Sequence, residues 1–279
     1  MQTRIFSGLD IARDMHAQTL RRAQDAGIRP TCCVLLDANN PGARAYATRQ
    51  QEMAEQAGIA LTLLAYESNP PAIYRQLAAL RDDRTVDAVM TLYPLPQGVD
   101  AITAALAIGA EKDVDGLHPM NAGNLLLGAP GRGAATAQAS VICAEALFGD
   151  LAGATIAIVG ASPVVGRPLT MMLLDRNATV SVGHAATRDL AALTRQADIV
   201  VSATGVAGLI TADHIAQGAI LIDVGISRRN GQILGDVDLA GVEGKAAAVT
   251  HAPDGVGPIT AACLFRNILD AALIRRSAH

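Results

Sequence analysis

Tryptophan is absent from this chain, and three phenylalanines and four tyrosines are the only large aromatics in its 279 residues. The core must therefore be built from Ala, Leu, Val and Ile, a composition suited to helices packed on a parallel sheet. Lysine is nearly absent as well. Lys112 and Lys245 are the only two, and the remaining cationic side chains are arginines. No block of basic residues occurs and the net charge is −4, which argues against a nucleic-acid partner. No apolar run approaches the roughly 20 residues of a membrane span, so no membrane partner is expected. The stretch carrying Arg4, Asp10, Arg13 and Asp14 has no long apolar region of the signal-peptide kind, and a cytoplasmic location is expected. The four cysteines, Cys32, Cys33, Cys143 and Cys263, form no C-x-x-C. They read as small buried hydrophobes in a reducing compartment, with no metal site.

What is present is apolar residue and repetition. Half the chain is apolar, and its length is enough for two domains. Ile156-Ala-Ile-Val-Gly160 is a short β-branched run ending in glycine. Ala161, Ser162 and Val165 follow, then Gly166 and an apolar helical pattern through Leu169, Met172 and Leu173. Strand, glycine turn and helix start make the unit that aims backbone N–H groups and a positive helix end at a phosphate. The spacing is not the common G-x-G-x-x-G, so by itself the stretch is equally compatible with an ordinary α/β turn.

Around it, periodicity predicts helices over 8–26, 43–57, 70–81, 100–110, 137–147 and 188–195, with a last amphipathic helix reaching about 274. Strands are expected over 31–36, 60–65, 86–92, 179–182, 198–202 and 219–224, and Asn39-Asn-Pro-Gly42 reads as a turn. Both halves alternate strand and helix, which predicts two doubly wound α/β domains, the C-terminal one Rossmann-like. Lys112-Asp-Val-Asp-Gly-Leu-His-Pro119 is either a solvated loop with a capping Asp or a site. Gly128-Ala-Pro-Gly-Arg-Gly133 reads as a flexible connection.

Five blocks now agree, in order. Tyr93-Pro-Leu-Pro96 is similar to a QLPLP motif and Lys112–Gly116 reads KDVDG. Val159–Pro168 is similar to VGRSxxVGxP, Asp223-Val-Gly-Ile226 to IDVGI, and Pro253–Thr260 to PGGVGPMT. Together they resemble the bifunctional methylenetetrahydrofolate dehydrogenase/cyclohydrolase family over essentially the whole chain. The resemblance implies a folate-binding lobe of 1–119 plus 256–279, a Rossmann lobe of 120–255, and a cleft between them for a tetrahydrofolate substrate and NADP or NAD. It also implies a homodimer.

It further implies site residues. Asp115 would grip the pterin, since a carboxylate accepts two parallel N–H bonds. Tyr46, Leu92, Tyr93, Pro94, Asp254, Gly255 and Pro258 would contact the folate. Gly160, Ala161, Ser162, Val165, Gly166, Ala185, Thr204, Gly225 and Ile226 would contact the cofactor. Tyr46, Gln50, Asp115 and Asp254 occupy the expected catalytic positions. The sequence departs from the family pattern there. The lysine four residues after the tyrosine is Gln50, the motif glutamine is Leu92, and no lysine precedes Lys112. Leucine has no hydrogen-bonding group on its side chain. Hydride transfer needs no protein base, so dehydrogenase activity is expected, with the cyclohydrolase half impaired or lost. Asp254, His251 or Tyr93 is expected to supply replacement groups. A repurposed enzyme acting on another tetrahydrofolate adduct, and a non-catalytic folate- or nucleotide-binding relative, remain alternatives. On the cofactor side the loop arginine is Ala161, the serine after the next strand is Ala185, and Arg188 reads as a surface residue. Neither NAD nor NADP is preferred.

Overall fold

The computed structural model describes residues 2–229 and 232–277. Residues 1, 230–231 and 278–279, which the expected lobes include, lie outside the described residues. The chain opens with β1 (Arg4–Phe6), α1 (Leu9–Asp25), β2 (Thr31–Leu36), α2 (Pro41–Gln56), β3 (Ala60–Ala65), α3 (Pro70–Asp82), β4 (Ala88–Thr91) and α4 (Ala101–Ile108). Side chains start three of these helices. Asn40 accepts from the N–H groups of Gly42 and Ala43, Asn69 from Ala72 and Asp100 from Thr103. Each satisfies donors that a helix start leaves open. Pro41 and Pro70 follow as first helical residues with no N–H to lose. The expected turn at 39–42 is thus the cap of α2.

Then come α5 (Pro119–Leu126), α6 (Ala135–Phe148), β5 (Thr155–Val159), α7 (Gly166–Leu174), β6 (Thr179–Gly183), α8 (Leu190–Thr194), β7 (Ile199–Ser202) and β8 (Ile220–Asp223). The hairpin of β9 (Ile226–Arg229) and β10 (Gln232–Gly235), then α9 (Leu239–Val242), β11 (Ala248–Thr250) and α10 (Val256–Ser277), complete the chain.

The chain divides into two compact units. One comprises residues 13–135 and those from 261 on. Its sheet is parallel, in the order β3-β2-β4, and a bridge between Val89 and Asp113 extends it past β4. Leu35, Ile73, Leu77, Val89 and Ile108 fill its core. The other unit comprises residues up to 12 and 136–260. Its six parallel strands run β1-β11-β8-β7-β5-β6, over a core that includes Ala157, Val159, Val200, Leu221 and Val249. These units differ from the expected lobes of 1–119 plus 256–279 and 120–255 at their edges. Residues 4–6 leave the first lobe because Arg4, Ile5 and Phe6 pair in register with Ala248, Val249 and Thr250.

Helix α10 also departs from expectation. Cys263, Phe265, Ile268, Leu269 and Ala272 are all buried, so it is a core helix rather than an amphipathic surface one. It is the one described helix long and apolar enough to cross a bilayer, and 61% of its apolar window is buried inside the protein.

Asp87 is fully buried at the foot of β4. Arg275 donates to its Oδ1 and Arg276 to its Oδ2 (2.6 Å), while Thr31 donates its N–H (3.0 Å) and hydroxyl (3.1 Å). Burial pushes this carboxyl up, and the two guanidiniums outweigh that and hold it below the ordinary carboxylate range. Asp87→Ala would leave Arg275, itself 15% exposed, without its counter-charge. A stability loss of about 3–5 kcal/mol is expected, read as a lowered urea midpoint; an unchanged midpoint would show that the cluster does not hold the end of α10.

Candidate functional site

Each unit reverses its winding at one point. From β2 the chain moves to β3 on one side, and β4 lies on the other. In the second sheet β5 is flanked by β6 on one side and β7 on the other. Ligand crevices form outside the carboxyl ends of the strands at such points; Tyr46, Leu92 and Tyr93 follow the strands at this point in the first unit, and Gly160, Ser162, Gly166 and Thr204 those in the second.

In the first unit, Tyr66 follows β3, the start of α2 follows β2, and Leu92 and Tyr93 follow β4. Asp115 lies two residues past the bridge that extends the sheet. On α2, Tyr46 and Gln50 are four residues apart, so they share a helix face. Gln50 Nε2 donates to the Tyr46 hydroxyl at 2.6 Å. Gln50 is 5% exposed, and its Oε1 is buried with no hydrogen-bond partner. Tyr66 donates its hydroxyl to Leu92 O at 3.0 Å, which fixes the chain where β4 ends. Tyr93 is exposed at the head of the Tyr93-Pro94 turn.

Asp115 is the focus of this group. It makes no hydrogen bond among the described residues and is half-buried. Burial first, then the neighbouring charge of Asp113, pushes its carboxyl up to about 7. Burial and the charge of Asp115 likewise raise the hydroxyls of Tyr46 and Tyr93, and burial carries Tyr66 above the ordinary phenol range. The result is an unpartnered carboxylate among neutral phenols and an amide.

The other polar residues of the 112–119 segment are framework. Buried Lys112 donates to Leu80 O (2.8 Å) and to Asp83 O, closing the carboxyl end of α3. Asp113 accepts from His118 N (2.7 Å) and Asn121 Nδ2 (2.9 Å). His118 caps α5, its Nδ1 accepting from Met120 N. A side chain at Gly116, which has φ +70°, would run into the backbone of Arg132 and Gly133. Arg132 in turn donates to the carbonyls of Ala110 and Glu111, so the expected flexible connection at 128–133 is pinned.

In the second unit, a side chain at Gly166 would run into Gly160 O, and one at Gly160 (φ +112°) into Ala203 O. Backbones therefore close on each other between the ends of β5 and β7. Ser162 Oγ accepts from Val165 N at 3.1 Å and shapes the loop, and Val165 directly precedes α7. Thr204 is held from below by buried Asp236, which accepts from its N–H (2.7 Å), its hydroxyl (2.8 Å) and Ser202 Oγ (2.7 Å). Asp236 lies against Gly225, where any side chain would collide with its carboxylate. Asp223, at the end of β8, accepts from Asp236 N and Val237 N; burial pushes its carboxyl up to about 6. Ala185 and Ile226 are exposed at the ends of this crevice. The closed glycine cradle and the helix start behind it fit a dinucleotide pyrophosphate. Among the described residues no group of three or more His, Cys, Asp or Glu has the geometry to hold a metal.

Asp254, Gly255 and Pro258 also belong to this unit. Asp254 is exposed, and its carbonyl accepts from Gly8 N at 2.8 Å. Asp254 is not among the residues with positive φ, so its place in a glycine motif demands no special backbone. Tyr66 was not expected at the site; its signal was its place directly after a parallel strand.

Residues 134–276 match the family model for the tetrahydrofolate dehydrogenase/cyclohydrolase NAD(P)-binding domain, and residues 6–115 match that for the catalytic domain. The bifunctional protein FolD of Variovorax paradoxus is 37% identical over 278 residues, covering 98% of each chain. The solved methylenetetrahydrofolate dehydrogenase/cyclohydrolase of Campylobacter jejuni is 34% identical with a TM-score of 0.92, covering 98% of this chain and 99% of that one. The Trypanosoma brucei enzyme, solved with NADP and an inhibitor, is 26% identical with a TM-score of 0.90, covering 100% of this chain and 99% of that one.

The raised carboxyl of Asp115 sets a pH dependence. Between about pH 4 and 7 the folded chain keeps a proton that the unfolded chain has released, so stability falls as pH rises through this window. Asp223 acts in the same direction up to about 6. The urea midpoint is expected to drop from pH 5 to pH 8, and Asp115→Asn to drop less. Equal drops in both proteins would mean that Asp115 titrates normally.

Proposed function

The chain belongs to the tetrahydrofolate dehydrogenase/cyclohydrolase family, and from that we propose that it oxidises 5,10-methylenetetrahydrofolate and hydrolyses the product poorly. The observation that carries the second half is the Gln50–Tyr46 bond at 2.6 Å. The family pattern has a lysine at this place, and a glutamine amide neither takes nor gives a proton near neutrality. The two lysines of the chain are both engaged, Lys112 with Leu80 O and Asp83 O, Lys245 with Ala212 O. Leu92, where the pattern has glutamine, offers only its backbone carbonyl, and Tyr66 already donates to that.

Oxidation asks less of the protein. A hydride leaves the methylene bridge while a folate nitrogen lone pair forms the new C=N bond. The nicotinamide of NADP or NAD, when bound, is the hydride acceptor. In this reading Asp115 takes the parallel N–H groups of the pterin edge. Tyr46, Tyr93, Leu92 and Pro94 line the folate; Asp254, Gly255 and Pro258 are assigned to it on the family resemblance alone, with Asp254 or His251 as substitute polar groups. Gly160, Ser162, Val165 and Gly166 hold the pyrophosphate. Ala161 and Ala185 lie on the adenosine side, and Thr204, Gly225 and Ile226 on the nicotinamide side. A cytoplasmic homodimer completes the proposal, on the family resemblance alone.

Mixed with 5,10-methylenetetrahydrofolate and NADP or NAD, the protein is expected to form reduced cofactor while the methenyl product accumulates. Gln50→Lys combined with Leu92→Gln should raise methenyl hydrolysis by about a hundredfold or more, the usual worth of acid–base catalysis. Reduced cofactor failing to appear with either dinucleotide would remove the dehydrogenase reading. Hydrolysis keeping pace with oxidation in the unaltered protein would remove the impairment. In that case a slowing of hydrolysis by Asp254→Gly would identify Asp254 as the substitute.

A further inference from the structure

The glycine loop carries a cation without an assigned role. Arg167 is the second residue of α7 and is exposed. Its N–H donates to Ser162 O at 3.0 Å, and its Nε donates to Ala161 O at 3.1 Å. The second bond folds the guanidinium back over the β5–α7 loop instead of letting it trail along the helix. Its two terminal amines make no hydrogen bond or ion pair among the described residues.

The end of β6 supplies the complementary fact. In a β-α-β nucleotide unit the adenosine ribose lies at the end of the second strand, where a carboxylate takes the 2′-hydroxyl or a nearby arginine the 2′-phosphate. Residues 184–188 here are His-Ala-Ala-Thr-Arg, with no carboxylate. The first acid after them, Asp189, has its Oδ1 on Ala192 N as the cap of α8. His184 has its Nδ1 on Ala186 N (3.2 Å), and Thr187 has its hydroxyl on His184 N (2.9 Å). No carboxylate in the turn is placed to accept from a 2′-hydroxyl, and a guanidinium tethered to Ala161 O lies at the glycine loop.

We propose that Arg167 sets the cofactor specificity, its guanidinium taking the phosphate on the adenosine 2′ oxygen so that NADP is bound in preference to NAD. The geometry suits the task. Arginine presents its donors as a planar fork matched to phosphate oxygens, and the loop bond orients that fork in advance. Ala161, with its single methyl, leaves the space beside the loop open. The assignment rests on the cofactor reading of this unit given above.

Binding of NADP and of NAD to the whole protein, measured separately by titration calorimetry, tests it without catalysis. Arg167→Ala is expected to weaken NADP by about tenfold to a hundredfold, the usual worth of a hydrogen bond to a charged group, and to leave NAD within about twofold. Arg167→Lys should fall between, keeping the charge and losing the fork. Thermal unfolding of each free variant, expected to match the unaltered protein, shows that the fold survives. Equal weakening of both cofactors would overturn the proposal by placing Arg167 on the pyrophosphate they share. Unchanged NADP binding would overturn it too, as would Arg188→Ala carrying the loss instead. Failure of the unaltered protein to bind either dinucleotide is a separate outcome, one that removes the cofactor reading and this inference with it.

Discussion

The ammonium of Lys112, buried at 4% exposure, fixes the segment that carries Asp115. A charge that deep needs hydrogen-bond partners, and two carbonyls at the end of α3 take two of its three donors. Burial lowers the tendency of this lysine to hold its proton, and the surrounding acids work against that. The anchored residue starts the segment that bridges Val89 through Asp113, and that bridge carries Asp115 to the carboxyl edge of the sheet. Asn267 closes the segment from α10 with a bond to Val114 O at 2.9 Å. The focal carboxylate therefore owes its position to a lysine that does no chemistry itself.

The other unit achieves position through backbone contact. Gly160, Gly166 and Gly225 each sit where a side chain would strike a backbone oxygen or a buried carboxylate. Asp223 and Asp236 replace the missing side chains as internal braces, accepting from the backbone N–H groups of Thr204, Asp236 and Val237. Burial first, and the neighbouring charge of Asp236 last, raise the carboxyl of Asp223 against the N–H bonds it accepts. The strand ends facing the crevice are thus held by buried acid rather than by surface contacts.

Much of this was legible in the sequence, for identifiable reasons. β2 and β3 carry their starts in plain view because each apolar run follows a chain breaker, Pro30 before β2 and Gly58 before β3. The Tyr46–Gln50 pair follows from a four-residue spacing on one helix. What escaped notice lacks local signal. β1 is three residues long with Arg4 and Ile5 exposed, and only its partner some 240 positions later makes it a strand. That one pairing ties residues 4–6 to the sheet of the second unit. α5 contains two asparagines and a glycine, poor helix formers, and it holds because His118 caps it and Asn121 bonds to Asp113 and Ala110 O. Tyr66 carries no motif; its relevance comes from the sheet order, which places the ends of β3, β2 and β4 along one edge.

The same sheet order explains how one half of a two-step chemistry can lapse while the other persists. Hydride transfer depends on where two rings are held, and the holding parts here are strand ends, glycine contacts and a framework lysine, all independent of residue 50. Water attack depends on a group that changes protonation state during the step. At the focus of this site the groups with hydroxyls are phenols whose protons burial holds more tightly, and the amide cannot titrate at all. The only titrating member of the group is Asp115, at about 7. A ligand that donates two N–H bonds to it would stabilise the ionised form and fix that carboxylate as a binding group. Engaging the substrate thus removes from proton traffic the one residue able to take part in it. In the proposed reading, a glutamine at position 50 therefore weakens hydrolysis while leaving in place the strand ends and glycine contacts on which hydride transfer depends.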